Sequence, residues 1–161
     1  MQRGRERVNR AGIATMRFVQ AITVAVSPER VWEVLADWDR YPEWMPDVSW
    51  VRRLGEEEGA GMRLAVRTKV LGIPLVTDEL LITAWDPPHR MGVSHKGLVR
   101  EGAEWRVEAL DGGTRFTWIE DLRMPPPVLG ALALFLYSPV LRWNFGRSMR
   151  KLSERVSGSS G

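Results

Sequence analysis

The chain has 161 residues and a mass of 18.3 kDa; 44% of its residues are hydrophobic, 27% are charged and none is cysteine. This length and apolar content favour one folded domain, and the lack of cysteine excludes disulfides, thiolate zinc sites and a cysteine nucleophile. The formal net charge is +3, and four arginines and one glutamate within residues 1–15 account for all of it. Because the remaining chain is neutral, we expect no nucleic-acid partner.

The two ends of the chain differ in composition from its middle. We expect residues 1–15 to be a disordered basic tail, residues 16–156 to form one domain, and the Ser/Gly sequence at 157–161 to be a flexible tail. The N-terminal arginines are not followed by the apolar segment of a secretory signal. These features predict a cytoplasmic protein.

The first predicted elements are a strand and two short helices. Residues 16–26 alternate between apolar and polar side chains, which is typical of a strand. Ser27 followed by Pro28 is a strong helix start, because serine accepts a hydrogen bond from the first turn and proline fits its first position. This helix is expected to run to about Asp37, and a second helical turn follows in residues 39–46.

Residues 48–124 predict six strands joined by short turns. The alternation is clearest in residues 62–71, where one face is apolar and the other carries arginine and lysine, as in an antiparallel strand with one solvated side. Asp111-Gly112-Gly113 is typical of a hairpin turn. The expected strands are Val48–Leu54, Met62–Leu71, Leu75–Trp85, Arg90–Lys96, Val99–Leu110 and Thr114–Met124.

Helical periodicity appears again after three consecutive prolines. Apolar residues recur every three or four positions from Leu141 to Val156, which predicts an amphipathic helix of about four turns that Pro139 starts or kinks. The preceding residues 128–141 are strongly apolar. They are either the buried start of this helix or a surface that rests on an anionic membrane beside the arginines that follow.

The element order predicts an α+β fold in which a curved antiparallel sheet of about seven strands surrounds a long C-terminal helix, with two short helices after the first strand. A sheet and helix arranged in this way leave a concavity, the usual place for a small ligand. Strand alternation predicts that its wall is formed by Met62, Leu64, Val66, Thr68, Leu80, Ile82, Met91, Val93, His95, Trp105, Phe116, Trp118 and Glu120.

Few side chains in this sequence are equipped for catalysis. His89 and His95 would lie about 20 Å apart along one strand, too far for a shared metal ion, and we expect no metal site. Glu120, Asp78 and His95 are the candidate acid/base groups, since an apolar cavity favours the protonated form of a carboxylate. The alternative is that Glu120 is a strand-end carboxylate paired with an arginine.

Several motifs of this sequence occur together in one known family: Ser27-Pro28-Glu29, Val31-Trp32, Tyr41-Pro42-Glu43-Trp44, residues 83–91, Trp105 and the turn at 112–114. With them, the segment at residues 27–54 resembles the opening of the START-like superfamily, in particular its polyketide cyclase/dehydrase branch. The resemblance implies a helix-grip fold over residues 17–156, in which the sheet grips the C-terminal helix over an apolar cavity and residues 128–141 are the buried start of that helix over the cavity mouth. It implies a scaffold and not a reaction, because members share the fold and differ in task.

The eight tryptophans divide by position in this scheme. Trp32, Trp38 and Trp44 are predicted to fasten the short helices to the sheet. Trp105 and Trp118 fall on inward faces and are predicted to wall the cavity.

Three functions are compatible with these residues. The first is binding or carriage of an apolar small molecule such as a lipid, a quinone or a polyketide-like ring system, which walls of Met and Trp would suit. The second is a polyketide cyclase or dehydrase that moves protons with a cavity carboxylate or histidine. The third is an interaction protein or a lipid-transfer protein that makes transient contact with a membrane surface. No cofactor is expected, and the sequence leaves the ligand and the oligomeric state open.

Overall fold

Eight strands and three α-helices make up the structure, a computed structural model that describes residues 6–8, 14–97, 100–123 and 127–158. The strands are β1 (Glu6–Val8), β2 (Ala14–Val24), β3 (Val48–Arg53), β4 (Arg63–Val70), β5 (Ile73–Asp86), β6 (Arg90–Lys96), β7 (Arg100–Leu110) and β8 (Gly113–Arg123). The helices are α1 (Pro28–Leu35), a 3₁₀ helix (Trp38–Arg40), α2 (Tyr41–Trp44) and α3 (Pro127–Gly158).

The strands form one antiparallel sheet in the order β1-β2-β8-β7-β6-β5-β4-β3. Strands β2 to β8 are the seven that the sequence predicts, and together with α3 they form the predicted α+β helix-grip fold. The chain between β2 and β3, which form opposite ends of this seven-stranded set, contains α1, the 3₁₀ helix and α2.

Both predicted tails need correction where the structure describes them. Glu6–Val8, expected to be disordered, pairs as β1 with Ala14–Met16, because the outer edge of β2 offers unpaired backbone groups to a further strand. Residues 157 and 158 form the end of α3 and are not part of a flexible tail. The remaining tail residues, 1–5, 9–13 and 159–161, lie outside the described residues.

The start of α1 follows the sequence prediction. The side chain of Ser27 accepts a hydrogen bond from the backbone N–H of Arg30 at 3.3 Å, and Pro28 occupies the first turn. The helix ends at Leu35, two residues before the expected end at Asp37, and the 3₁₀ helix follows.

Helix α3 is longer than predicted, since it begins at Pro127 and contains Pro139 in its interior. The expectation that its apolar first half is buried is wrong: Leu129, Phe135 and Leu136 are 66%, 66% and 68% exposed. The C-terminal half packs into the core, whereas a cavity separates the N-terminal half from the sheet. Among the described residues, no element covers the side of this half that faces away from the cavity.

Within the described residues, no helix has an apolar stretch long enough to cross a membrane.

Tryptophans fasten the short helices to the sheet, as predicted. The Trp32 ring of α1 contacts Trp85 of β5 edge-on at 5.1 Å between centroids, and Trp44 of α2 contacts Trp105 of β7 at 5.8 Å. The hydroxyl of Tyr41 donates to the Leu35 carbonyl at 2.5 Å, which joins α2 to the end of α1. These contacts fix the position of the short helices at one end of the concave face.

We predict that Trp44→Ala lowers the free energy of unfolding by about 3–5 kcal/mol, because it removes a fully buried ring that contacts Tyr41, Trp105 and Trp118. The matched control is Trp143→Ala, whose ring is 60% exposed and whose loss should change stability by no more than about 0.5 kcal/mol. Urea denaturation of both variants measures the difference, and equal losses would contradict the packing described.

Candidate functional site

A cavity of about 570 Å³ lies between the sheet and α3. Strands β3 to β8 supply most of its wall, and the side of α3 that faces the sheet supplies Ala133, Tyr137, Leu141 and Phe145. The side chains predicted to line the cavity and placed there by the structure are Leu64, Val66, Thr68, Leu80, Ile82, Val93, His95, Trp105, Trp118 and Glu120, and Asp78 joins them.

Three of the predicted wall residues lie elsewhere. Met62, Met91 and Phe116 are 3%, 0% and 0% exposed and belong to the packed core, not to the cavity wall. One apolar cluster contains them together with Val31 of α1 and Leu152 of α3. Their side chains face inward as expected, but α1 and the C-terminal half of α3 pack against them and fill the space that the prediction assigned to the cavity.

The three candidate acid/base residues meet in one charged cluster at the cavity wall, formed by Asp78, His95 and Glu120. Nδ1 of His95 lies 3.1 Å from Oδ2 of Asp78, and Nε2 lies 2.9 Å from Oε1 of Glu120. The second oxygen of Glu120 accepts a hydrogen bond from Nε1 of Trp118 at 2.7 Å. Glu120 is 5% exposed and pairs with a histidine, so the alternative of a strand-end carboxylate paired with an arginine is wrong.

Sheet register brings these side chains together from three strands. His95 of β6 stands opposite Leu80, so Asp78 lies diagonally across from it on β5. Between β6 and β8, Ala103 of β7 stands opposite both Val93 and Glu120. Its small side chain leaves room for the imidazole of His95 to reach across β7 to Glu120.

A glycine allows the close approach of the carboxylate on β5. A Cβ atom at Gly97, just after β6, would overlap the side chain of Asp78. Any larger residue at this position would therefore push Asp78 away from its place beside His95.

The cluster keeps His95 protonated. Burial lowers the pKa of the imidazole, but the hydrogen bonds and negative charges of Asp78 and Glu120 outweigh this effect and raise the pKa to about 10. At neutral pH both ring nitrogens therefore donate, one to each carboxylate.

Within the described residues, no group of three or more His, Asp or Glu side chains is arranged to hold a metal ion.

Three polar residues of the cavity wall, Asp47, Lys69 and Asn144, escaped the sequence analysis. Asp47 and Lys69 both line the cavity, and the Lys69 backbone N–H donates to the Asp47 carbonyl at 2.6 Å. Burial raises the pKa of Asp47, which favours its protonated form. Asp47 lies in the turn between α2 and β3, where no periodicity indicates the direction of a side chain, and only its contact with β4 reveals its place.

We predict that the free energy of unfolding falls as the pH rises from about 6.5 towards 10, by up to about 1.4 kcal/mol per pH unit. In this range the folded state retains the proton of His95 that the unfolded chain releases, so rising pH favours unfolding. Urea denaturation at several pH values should show a smaller slope for His95→Gln than for the wild type.

The matched control for this prediction is His89→Gln, because His89 is exposed. This variant should keep the wild-type slope. A slope that is unchanged by His95→Gln would contradict the protonated state described for His95.

Comparison with known sequences identifies relatives over nearly the whole chain. Residues 15–157 match the family described as polyketide cyclase / dehydrase and lipid transport. An uncharacterized protein of Mycobacterium tuberculosis is 30% identical over 141 residues, which cover 84% of this chain and 81% of that protein.

Solved structures with low sequence identity share the fold. The Zhui aromatase/cyclase from Streptomyces sp. R1128 superposes with a TM-score of 0.74 at 20% identity, covering 89% of this chain and 94% of that one. A START superfamily protein from Mycobacterium smegmatis superposes with a TM-score of 0.70 at 15% identity, covering 88% of this chain and 97% of that one. Together with the sequence match, the shared sheet and gripping helix confirm the resemblance to START-like proteins, and the chain belongs to the polyketide cyclase/dehydrase and lipid transport family.

Proposed function

We propose that the protein binds and carries an apolar small molecule in the cavity between the sheet and α3. The observation that carries this proposal is a cavity of about 570 Å³ whose wall is mostly apolar and includes a small number of polar side chains. That volume is within the range of pockets that enclose small organic ligands, and the combination of apolar walls with a few polar groups is typical of them.

The polar and aromatic groups of the wall favour a ligand that carries oxygen. Trp105 and Trp118 meet edge-on with centroids 5.6 Å apart, and such indole surfaces suit flat rings. Lys69 and Asn144 line the cavity and carry N–H groups, which give a carbonyl or hydroxyl oxygen of a ligand hydrogen-bond donors in the wall. Quinones and polyketide-like ring systems have this chemistry, as do lipids with an oxygen-bearing end.

We predict that Leu80→Trp weakens ligand binding at least about tenfold, because Leu80 lines the cavity and the larger ring fills part of it. The matched control is Leu81→Trp, since Leu81 lies one residue further along β5 with its side chain on the opposite face of the sheet. Mass spectrometry of material extracted from the purified protein identifies what the cavity holds. Titration with the neutral fluorophore N-phenyl-1-naphthylamine compares the variants.

Binding of the fluorophore by folded Leu80→Trp with wild-type affinity would overturn the proposal. Loss of binding in Leu81→Trp to the same degree would also count against it, because that change leaves the cavity unaltered.

A polyketide cyclase or dehydrase is the second candidate, and the charged cluster is the observation that favours it. Cyclisation of a poly-β-ketone requires a base to remove a proton from a carbon between two carbonyls and an acid to protonate the new alkoxide. The charged cluster and the carboxyl group of Asp47 line the same cavity and would supply these groups. An apolar cavity would also exclude water from the reactive chain.

If the protein is such an enzyme, His95→Gln should lower kcat for a poly-β-ketone thioester by about 10²–10⁴-fold, with fluorophore binding retained. His89→Gln is the matched control, since its side chain is exposed and away from the cavity. Chromatography with mass detection follows the cyclised product. An unchanged kcat in His95→Gln, or no turnover by the wild type, would reject catalysis by this cluster.

A further inference from the structure

Large apolar side chains are exposed on two elements that line the cavity, and we name these side chains together the mouth surface. We name residues 71–75, which comprise the loop after β4 and the start of β5, the β4–β5 turn. It presents Leu71, Ile73 and Leu75, which are 75%, 57% and 59% exposed. The N-terminal half of α3 presents Leu129, Leu132, Phe135 and Leu136, which are 53–68% exposed. Exposed apolar residues grouped in this way mark a surface that contacts an apolar partner.

The mouth surface surrounds the opening of the cavity. Val70 and Val76, which flank the β4–β5 turn, line the cavity, as do Ala133 and Tyr137 of α3. Ala133 lines the cavity and is itself exposed, so the cavity reaches the protein surface between the two elements. A ligand that enters there passes between the exposed apolar residues.

The two-residue loop Leu71-Gly72 between β4 and β5 has positive φ at both residues, and its first position holds a leucine. Leu71 has a φ of 51°, in the left-handed region that glycine or asparagine adopts at lower cost than a bulky residue. Its side chain is 75% exposed and therefore gains little from burial that would offset this strain. A strained leucine in contact with water fits a contact outside the folded chain.

The exposed side of α3 changes from apolar to basic along the helix axis. Leu129, Leu132 and Leu136 share one stripe with Trp143, Arg147 and Arg150, at intervals of three, four or seven residues. Trp143 is 60% exposed, and the guanidinium of Arg147 lies 5.1 Å from the centre of its ring. Trp143 is about 10 Å from Leu136 along the axis. This order of apolar residues, tryptophan and arginine matches the order of layers in a bilayer, from acyl chains through the interface to anionic head groups.

We propose that the mouth surface docks on an anionic lipid bilayer, with the β4–β5 turn and the first half of α3 inserted among the acyl chains and the arginines at the head groups. This inference rests on the proposed function, because docking would bring the opening of a ligand-binding cavity against the source or destination of an apolar ligand. Residues 70–76 and 127–141 contain no charged side chain, so insertion would bury no charge from either segment. A second copy of the chain would supply no acidic residue from these segments to face the arginines, whereas lipid phosphates would.

The experiment is co-sedimentation of the full chain with vesicles of phosphatidylcholine alone and of phosphatidylcholine mixed with phosphatidylglycerol. We expect binding that is stronger on the anionic vesicles and falls with added salt. The double variant Leu132→Ser/Leu136→Ser should bind at least about tenfold more weakly to both. Arg147→Gln should lose about fivefold on anionic vesicles only. The control Leu110→Ser changes an exposed leucine at the end of β7, outside the mouth surface, and should bind as the wild type does.

Leu71→Asn separates docking from folding, because its expected effects on stability and on vesicle binding have opposite signs. Asparagine tolerates the left-handed region, so the variant should raise the urea midpoint of unfolding while it weakens vesicle binding. Wild-type vesicle binding by folded Leu71→Asn and Leu132→Ser/Leu136→Ser would overturn the proposal. The proposal would also be overturned if light scattering showed that the wild type self-associates, that these variants do not, and that no form binds vesicles. The mouth surface would then bind a second copy of the chain.

Ligand binding in solution distinguishes this inference from the proposed function. Leu132→Ser/Leu136→Ser should still bind N-phenyl-1-naphthylamine, and Leu80→Trp should still bind vesicles. Failure of vesicle binding with normal fluorophore binding would reject docking alone. Failure of the wild type to bind the fluorophore or hold any ligand, with vesicle binding intact, would reject the cavity function and leave the docking surface established.

Discussion

The burial of α3 along only part of its length is the constraint on which the rest of the site depends. Met149, Leu152 and Val156 are at most 3% exposed, and Arg155 forms ion pairs with Asp37 and Glu43 beside the short helices. An α-helix is stiff over a few turns, so anchoring its C-terminal half sets the path of the N-terminal half. That half passes over the sheet without filling the space beneath it. The cavity, its opening and the exposed leucines follow from this one arrangement.

Burial of the charged cluster lowers the stability of the fold, which indicates that these residues have a role other than stability. Removing carboxylates and an imidazolium from water carries a desolvation cost, which the two hydrogen bonds of His95 and the one from Trp118 to Glu120 offset only in part. Oδ1 of Asp78 is buried and has no hydrogen-bond partner among the described residues. Apolar residues of similar volume would fill the same wall without that cost. Stability alone gives no reason to keep Asp78, His95 and Glu120 together, whereas recognition of a polar group on a ligand, or proton transfer to it, does.

Much of the fold could be predicted from the sequence because its signals are local. Ser27 and Pro28 mark the start of α1 through contacts within one turn, and the alternation of β8 places Trp118 and Glu120 on the inward face. The partners of His95 could not be predicted in this way. They depend on which residues of β5, β7 and β8 stand opposite one another, and on the small side chain of Ala103 between them.

The apolar segment of α3 shows where a reliable rule fails. Hydrophobic residues are usually buried, and that rule predicts burial for residues 128–141. It describes an average over positions and contains nothing about what lies on the far side of a helix. Phe135 and Leu136 are exposed because no element in the described part of the chain covers that side, which only the three-dimensional arrangement reveals. Similarly, Pro139 is a sound signal for a helix boundary and is here accommodated inside a helix of 32 residues.

The order of side chains along β5 relates the cavity, the charged cluster and the opening to one another. From the turn inward, Leu75 is exposed, Val76 is half-buried, Asp78 belongs to the charged cluster, and Ile82 is 1% exposed. Asp78 and Ile82 are about 13 Å apart along the strand. Under the proposed function, an elongated ligand with one polar end would place its apolar part near Ile82 and its polar end at the cluster, nearer the opening. A lipid that leaves a bilayer through the mouth surface would enter with its apolar end first, so its polar group need never cross the apolar interior.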